Sequence, residues 1–164
     1  MIILRKMNDK EFENFKAYSI KDYASDMLKE RDISEEEAMN SAAEEFNDIL
    51  PDGLNTENCF PMVIEDPGNR KDVGRIWYGY EDNGGVRQVF LFDLLIDEDE
   101  RRKGYAAKAL AEMERKARED GCGISSLYVW EHNAPAYDLY VKCGYEPADS
   151  GPDGIYMKKE LSRG

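Results

Sequence analysis

The residues with the most chemical potential in this 164-residue chain run from Asp93 to Ala107. A strongly apolar stretch, Val89 to Ile96, gives way to the acidic turn Asp97-Glu98-Asp99-Glu100, which reads as solvated. Arg101-Arg102-Lys103-Gly104 follows, and then the helix-like start Tyr105-Ala106-Ala107. Strand, basic loop and helix N-terminus in that order make an anion site from backbone alone. The first N–H groups of a helix have no intrahelical partner, and the helix dipole favours negative charge there. Gly104 lets a phosphate approach with no Cβ in the way. Two readings fit the segment: a pyrophosphate cradle, or an ordinary strand-to-helix turn with solvated arginines. Neither the GxxxxGK[ST] phosphate loop nor the GxGxxG dinucleotide fingerprint is present.

Three further side chains could do chemistry. Asp93 is a carboxylate inside an apolar strand, where burial raises its pKa. It is the candidate general base for an attacking amine, directly or through water. A buried structural aspartate, or one that binds a substrate ammonium, fits the same position. His132, the lone histidine, adjoins the helix cap Asn133 and reads as a surface or packing residue. Cys143 has no base near it in sequence and reads as a small buried residue.

The elements that must position these groups follow from periodicity. Residues 2–6 form a short strand. Asn8 with Glu11 is a capping box opening a helix whose inward residues are Phe12, Phe15, Tyr23 and Met27. Ser34 with Glu37 repeats that signature, with Ala38, Ala42, Phe46 and Ile49 behind it and Pro51-Asp52-Gly53 as the stop. Cys59 to Glu65 is a strand, followed by the loop Asp66-Pro67-Gly68-Asn69. Val73–Glu81 and Val86–Ile96 flank Asp82-Asn83-Gly84-Gly85, a hairpin signal, and the second of them is apolar on both faces as a central strand is. Helix 104–119 carries Ala106, Leu110, Met113 and Ala117 on one stripe. Ile124–Trp130 is a strand that a helical crossover sets parallel to its predecessor. A short helix starts at Asn133 and ends near Cys143-Gly144, and Ile155–Leu161 is the last strand. The expected fold is a single α/β domain over 1–164, a mixed central sheet of six or seven strands flanked by helices.

Composition narrows the partners. The net charge of −13 argues against nucleic acid, which demands clustered Lys and Arg. It suits a cationic substrate, although solubility explains the same charge. Three cysteines without a CxxC pair and one histidine point to reduced thiols, no metal centre and a cytoplasmic location. No apolar run approaches the ~20 residues of a membrane helix, and the N-terminal run is too short for a signal peptide.

Arg101-Arg102-Lys103-Gly104-Tyr105-Ala106 matches the R/Q-x-x-G-x-G/A signature, and Asn133-x-x-Ala136-x-x-Leu139-Tyr140-x-Lys142-x-Gly144-Tyr145 matches a second motif downstream. In both motifs and in element order the chain resembles the GNAT superfamily of N-acetyltransferases, including uncharacterised bacterial members. The resemblance implies acetyl-coenzyme A as acyl donor, its pyrophosphate on the amides from Arg102 to Ala107, with Arg101 and Lys103 adding charge. It also implies a pantetheine arm along Leu95 and Ile96 and a thioester carbonyl bonded by N–H near Ile96. Asn133, a plain helix cap, would also touch the donor. Tyr140 would be the general acid for the leaving thiolate, since a phenol at pKa ~10 stands close to a thiol at ~8.5.

The same resemblance sets the acceptor pocket between the first helices and the hairpin strands, around Tyr23, Asp26, Trp77 and Tyr78. Aromatic and acidic groups suit a cationic amine, although core packing explains Trp77 equally well. The expected reaction is direct acetyl transfer to the primary amine of a small cationic molecule in a ternary complex. Acetylation of a peptide N-terminus or lysine, and a non-catalytic acyl-coenzyme A sensor, are the alternatives. A homodimer is left open.

Overall fold

Seven strands form one sheet in the order β1-β2-β3-β4-β5-β7-β6 in the computed structural model, which describes residues 1–161. The strands are β1 (Ile3–Lys6), β2 (Cys59–Asp66), β3 (Lys71–Asn83), β4 (Val86–Ile96), β5 (Cys122–Trp130), β6 (Glu146–Ser150) and β7 (Gly154–Glu160). The helices are α1 (Asp9–Glu30), α2 (Glu35–Ile49), α3 (Tyr105–Glu119) and α4 (Ala134–Lys142). Only β4 and β5 pair in parallel; all other neighbours are antiparallel. The β3–β4 hairpin closes on Gly84 and Gly85, both with positive φ (60° and 83°), as a two-residue turn with the sheet's own twist requires.

Each face of the sheet has its own core. Against α3, Ile76, Tyr78, Val89 and Leu91 pack with Leu110, Met113 and Ala117. Against α1 and α2, Phe12, Phe15, Phe46 and Trp77 form an aromatic cluster, with Phe92 stacked on Trp77 at 4.8 Å between ring centroids. Ala24, Met27, Ala38 and Ala42 let α1 and α2 approach each other closely. Asn8 forms the full capping box: its Oδ1 accepts from Glu11 N–H at 2.8 Å and Glu11 Oε1 accepts from Asn8 N–H at 2.9 Å. Ser34 caps α2 through its own oxygen only, so Glu37 does not complete the second box expected there. Ala109 rather than Ala106 completes the buried stripe of α3; Ala106 is only partly covered. Strand β6 was absent from the expected order, because Glu-Pro-Ala-Asp-Ser carries no alternating apolar pattern and all five residues are exposed at the sheet edge. Among the described residues no helix is long and apolar enough to cross a membrane.

Candidate active site

The site begins where β4 and β5 part. Their parallel pairing ends at Leu91 opposite Leu127, although β4 continues to Ile96 and β5 to Trp130. At this point β4 bulges: Trp77 pairs with Asp93 and Tyr78 with Leu91, so Phe92 is the extra residue. Beyond the bulge β4 pairs with β3 alone. Asp97 N–H reaches Val73 O at 2.8 Å, so by antiparallel alternation the amides of Leu95 and Asp93 face β3. Those of Leu94 and Ile96 therefore face the gap left by β5. The Ile96 carbonyl there accepts from Arg101 Nε at 3.1 Å, which fastens the start of the basic loop to the end of the strand.

The loop then enters α3 through two left-handed residues, Arg102 (φ 66°) and Gly104 (φ 82°). Gly104 is the N-cap, and having no side chain it leaves the first-turn N–H groups of Tyr105, Ala106 and Ala107 uncapped. Asn8, Ser34 and Asn133 cap the other three helices with their own oxygens. Lys103 and Lys71 both reach Glu100, at 3.4 and 2.7 Å, which pins the acidic turn beneath the loop. Tyr105 offers the site its backbone only, because its side chain is buried and its hydroxyl donates to Asp66 Oδ2 at 2.6 Å. That bond, with a second from Asn69, holds the Asp66 carboxyl down at about 2.

Tyr140 approaches from α4. Asn133 Oδ1 accepts from Ala136 N–H at 3.2 Å, so the side chain of Asn133 works as a cap and is exposed. The far end of α4 rests on a buried polar network. Tyr145 hydroxyl bonds Ser125 Oγ at 2.6 Å and Glu114 Oε2 at 2.9 Å, while Lys159 Nζ donates to Glu114 Oε1 at 2.7 Å and to Cys143 O at 2.8 Å. Burial pushes the Tyr140 phenol above its ordinary range, and the nearby Asp93 charge adds to that. Asp93 and Tyr140, far apart in sequence, are therefore electrostatic neighbours. Burial likewise raises the Cys143 thiol, which leaves it a poor nucleophile.

On the α1 and α2 face the gap opens into a cleft of about 700 Å³. Tyr23, Asp26 and Trp77, three of the four residues named for the acceptor pocket, line it together with Asp93. Tyr78 does not. One residue along from Trp77 it points through the sheet to the α3 core and is 2% exposed, as period-two alternation dictates. Asp22 is a cleft residue that the sequence reading missed, as are Phe92 and Trp130. The spacing Ser19–Asp22–Asp26 on one face of α1 was the available signal. Asp22 acts as a like charge on both Asp26 and Asp93. Burial is the larger cause raising each of those two carboxyls. His132 bridges Asp26 and Glu30 through its two ring nitrogens at 2.9 and 2.7 Å, tying the β5–α4 turn to α1. Arg75 donates to Asp93 at 2.8 Å.

Comparisons with known proteins identify the family and the fold. The sequence profile described as the acetyltransferase (GNAT) family matches residues 20–145. The uncharacterised N-acetyltransferase YycN of Bacillus subtilis is 33% identical over 161 residues, covering 98% of this chain and 99% of that protein. A second uncharacterised N-acetyltransferase from that organism, YdgE, is 29% identical over 159 residues, covering 96% and 97%. The crystal structure of YycN superposes with a TM-score of 0.84 over 92% of this chain and 96% of that one. The PaiA N-acetyltransferase of Thermoplasma acidophilum, solved with coenzyme A, shares the fold at a TM-score of 0.70 and 17% identity, covering 98% and 99%.

Proposed function

The chain belongs to the acetyltransferase (GNAT) family, and from that membership we propose that it transfers acetyl from acetyl-coenzyme A to the primary amine of a small cationic molecule. As a family member it is an acyltransferase with acetyl-coenzyme A as donor. One observation carries the residue assignment. The gap between β4 and β5 has the uncapped N-terminus of α3 at one end and Asp93 and the acidic cleft at the other.

In this reading the first-turn amides of α3, Tyr105 to Ala107, hold the donor's pyrophosphate, with Arg102, Lys103 and Gly104 forming the loop around it. The edge of β4 that faces the gap receives the amide-bearing arm as a neighbouring strand would, with Ile96 N–H supporting the oxyanion and the Leu94 N–H engaged by the Asp93 carboxylate. The acceptor enters from the other face. Asp22 repels both Asp26 and Asp93, a cost that a bound ammonium relieves, and Tyr23, Trp77, Phe92 and Trp130 give it aromatic walls. Asp93 holds the amine and accepts its proton; Tyr140 donates a proton to the departing thiolate.

Two measurements test this. Acetyl-coenzyme A at a hundred times its Kd stabilises the fold by about 2.7 kcal/mol; no thermal shift at millimolar ligand would remove the donor site. A panel of small amines and peptides, followed by thiol release, addresses the acceptor. Turnover of peptides alone would replace the small cation with a polypeptide.

A further inference from the structure

Asp93 stands beside a partner that the transfer scheme above leaves unused. Arg75, on the same face of β3 as Trp77, donates from Nε to Asp93 Oδ2 at 2.8 Å, and the two side chains are only 15% and 21% exposed. The guanidinium lies 4.3 Å from the ring centroid of Tyr18 and 5.5 Å from that of Phe15, so α1 clamps it against the sheet. The pair uses one nitrogen, not the two-pronged fork of the strongest arginine–carboxylate contacts. Arg75 Nη2 is buried with no hydrogen-bond partner among the described residues. Stability does not account for such a pair, since apolar residues of similar volume are often neutral or stabilising in place of a buried ion pair.

The groups facing Asp93 come from four elements. Arg75 faces it from β3, Asp22 from α1, Tyr140 from α4 and the Leu94 N–H from its own strand. Burial and Asp22 favour the neutral acid, whereas Arg75 and the Leu94 N–H favour the carboxylate. Arg75 is the one positive charge among them.

We propose that Arg75 is a positioning residue of the transfer site: its ion pair aims the Asp93 carboxylate at the cleft and keeps it an anion when the acceptor amine arrives. This rests on the reading that Asp93 serves the acceptor amine. Without Arg75, a largely buried carboxyl under the like charge of Asp22 takes up a proton. In that form it neither attracts an ammonium nor accepts a proton from it.

The experiment combines Arg75→Met and Arg75→Lys with Asp93→Asn and follows kcat/KM for the acceptor amine against pH by thiol release. Arg75→Met moves the acidic limb upward by about one pH unit or more, which is about tenfold in rate below the limb. Arg75→Lys restores most of that shift. In the Asp93→Asn background, Arg75→Met costs less than about twofold further, because the two residues act through one group. A uniform fall in kcat with the limb unmoved, or penalties that multiply in the double variant, would overturn the proposal. Carbon-13 NMR of the Asp93 carboxyl gives a readout independent of turnover: its midpoint rises in Arg75→Met, and an unmoved midpoint also overturns the proposal. Arg75→Gln, which loses the charge and keeps a donor, carries the same comparison where Arg75→Met does not fold. Wild-type protein inactive toward every amine would count against the proposed function, leaving the NMR comparison to judge Arg75.

Discussion

At Tyr140 the proposed role in proton delivery meets surroundings that resist ionisation. Burial and the charge of Asp93 both push its phenol upward, so the hydroxyl stays protonated across the neutral range. The close match to a thiol that the sequence suggested is loosened, and what remains is a neutral acid held near a carboxylate. Tyr140→Phe is expected to lower kcat by ~100-fold or more with the KM for acetyl-coenzyme A unchanged; thiol release at the wild-type rate would end the general-acid role. Asp66 and Tyr105 give a second prediction at this scale. The folded-state pKa of Asp66 lies below its unfolded value, so its stabilisation is present above about pH 4 and is lost as pH falls toward 2. Tyr105→Phe removes the main cause. Its Tm deficit relative to wild type, largest at neutral pH, should shrink steadily through that acid window. A deficit independent of pH would mean that packing, not the hydrogen bond, is what the hydroxyl supplies.

Among the elements, α3 differs from its neighbours by what is missing at its start. A side-chain cap there would compete with an anionic ligand for the same N–H groups, and Gly104 supplies none. Gly104→Asp tests this directly: aspartate tolerates a left-handed φ better than most residues, and open space surrounds the position. The expected result is a KM for acetyl-coenzyme A raised at least about tenfold, with Tm lowered only modestly by the side chain at a left-handed φ. Unaltered donor affinity would move the phosphate site elsewhere. The α4 helix is held differently, through Glu114 on α3, Lys159 on β7 and Tyr145 in the link that follows α4. The elements around the basic loop were legible because their signals are local: an apolar run, a basic glycine loop and a helical repeat stand next to one another in sequence. Asn8 with Glu11 was legible for the same reason. Edge strand β6 was not, since its pairing comes from β7 and its own residues carry no pattern.

The whole molecule carries a net charge of −13, and the cleft concentrates part of it in Asp22, Asp26 and Asp93. A field of that sign steers cations toward the opening and is screened by salt. The kcat/KM for a cationic acceptor should therefore fall several-fold between low and physiological ionic strength, while that for acetyl-coenzyme A, itself an anion, should not fall in parallel. Equal salt dependence for both substrates would show that the acidic surface serves solubility alone.

By itself the sequence determined the order of the helices and of every strand but β6, the basic loop from Arg101 to Ala107, and Tyr140 and Asn133 on a short helix. Each of these rests on contiguous residues whose backbone geometry is set locally. The tertiary structure decided the rest. It ended the β4–β5 pairing at the Phe92 bulge, turned Tyr78 away from the cleft, and brought Asp22 and Arg75 to Asp93 from different elements. The reason is that a charge acts through space over several ångströms whatever the chain separation. The electrostatics of Asp93 therefore exist only once α1, β3, β4 and α4 have packed together.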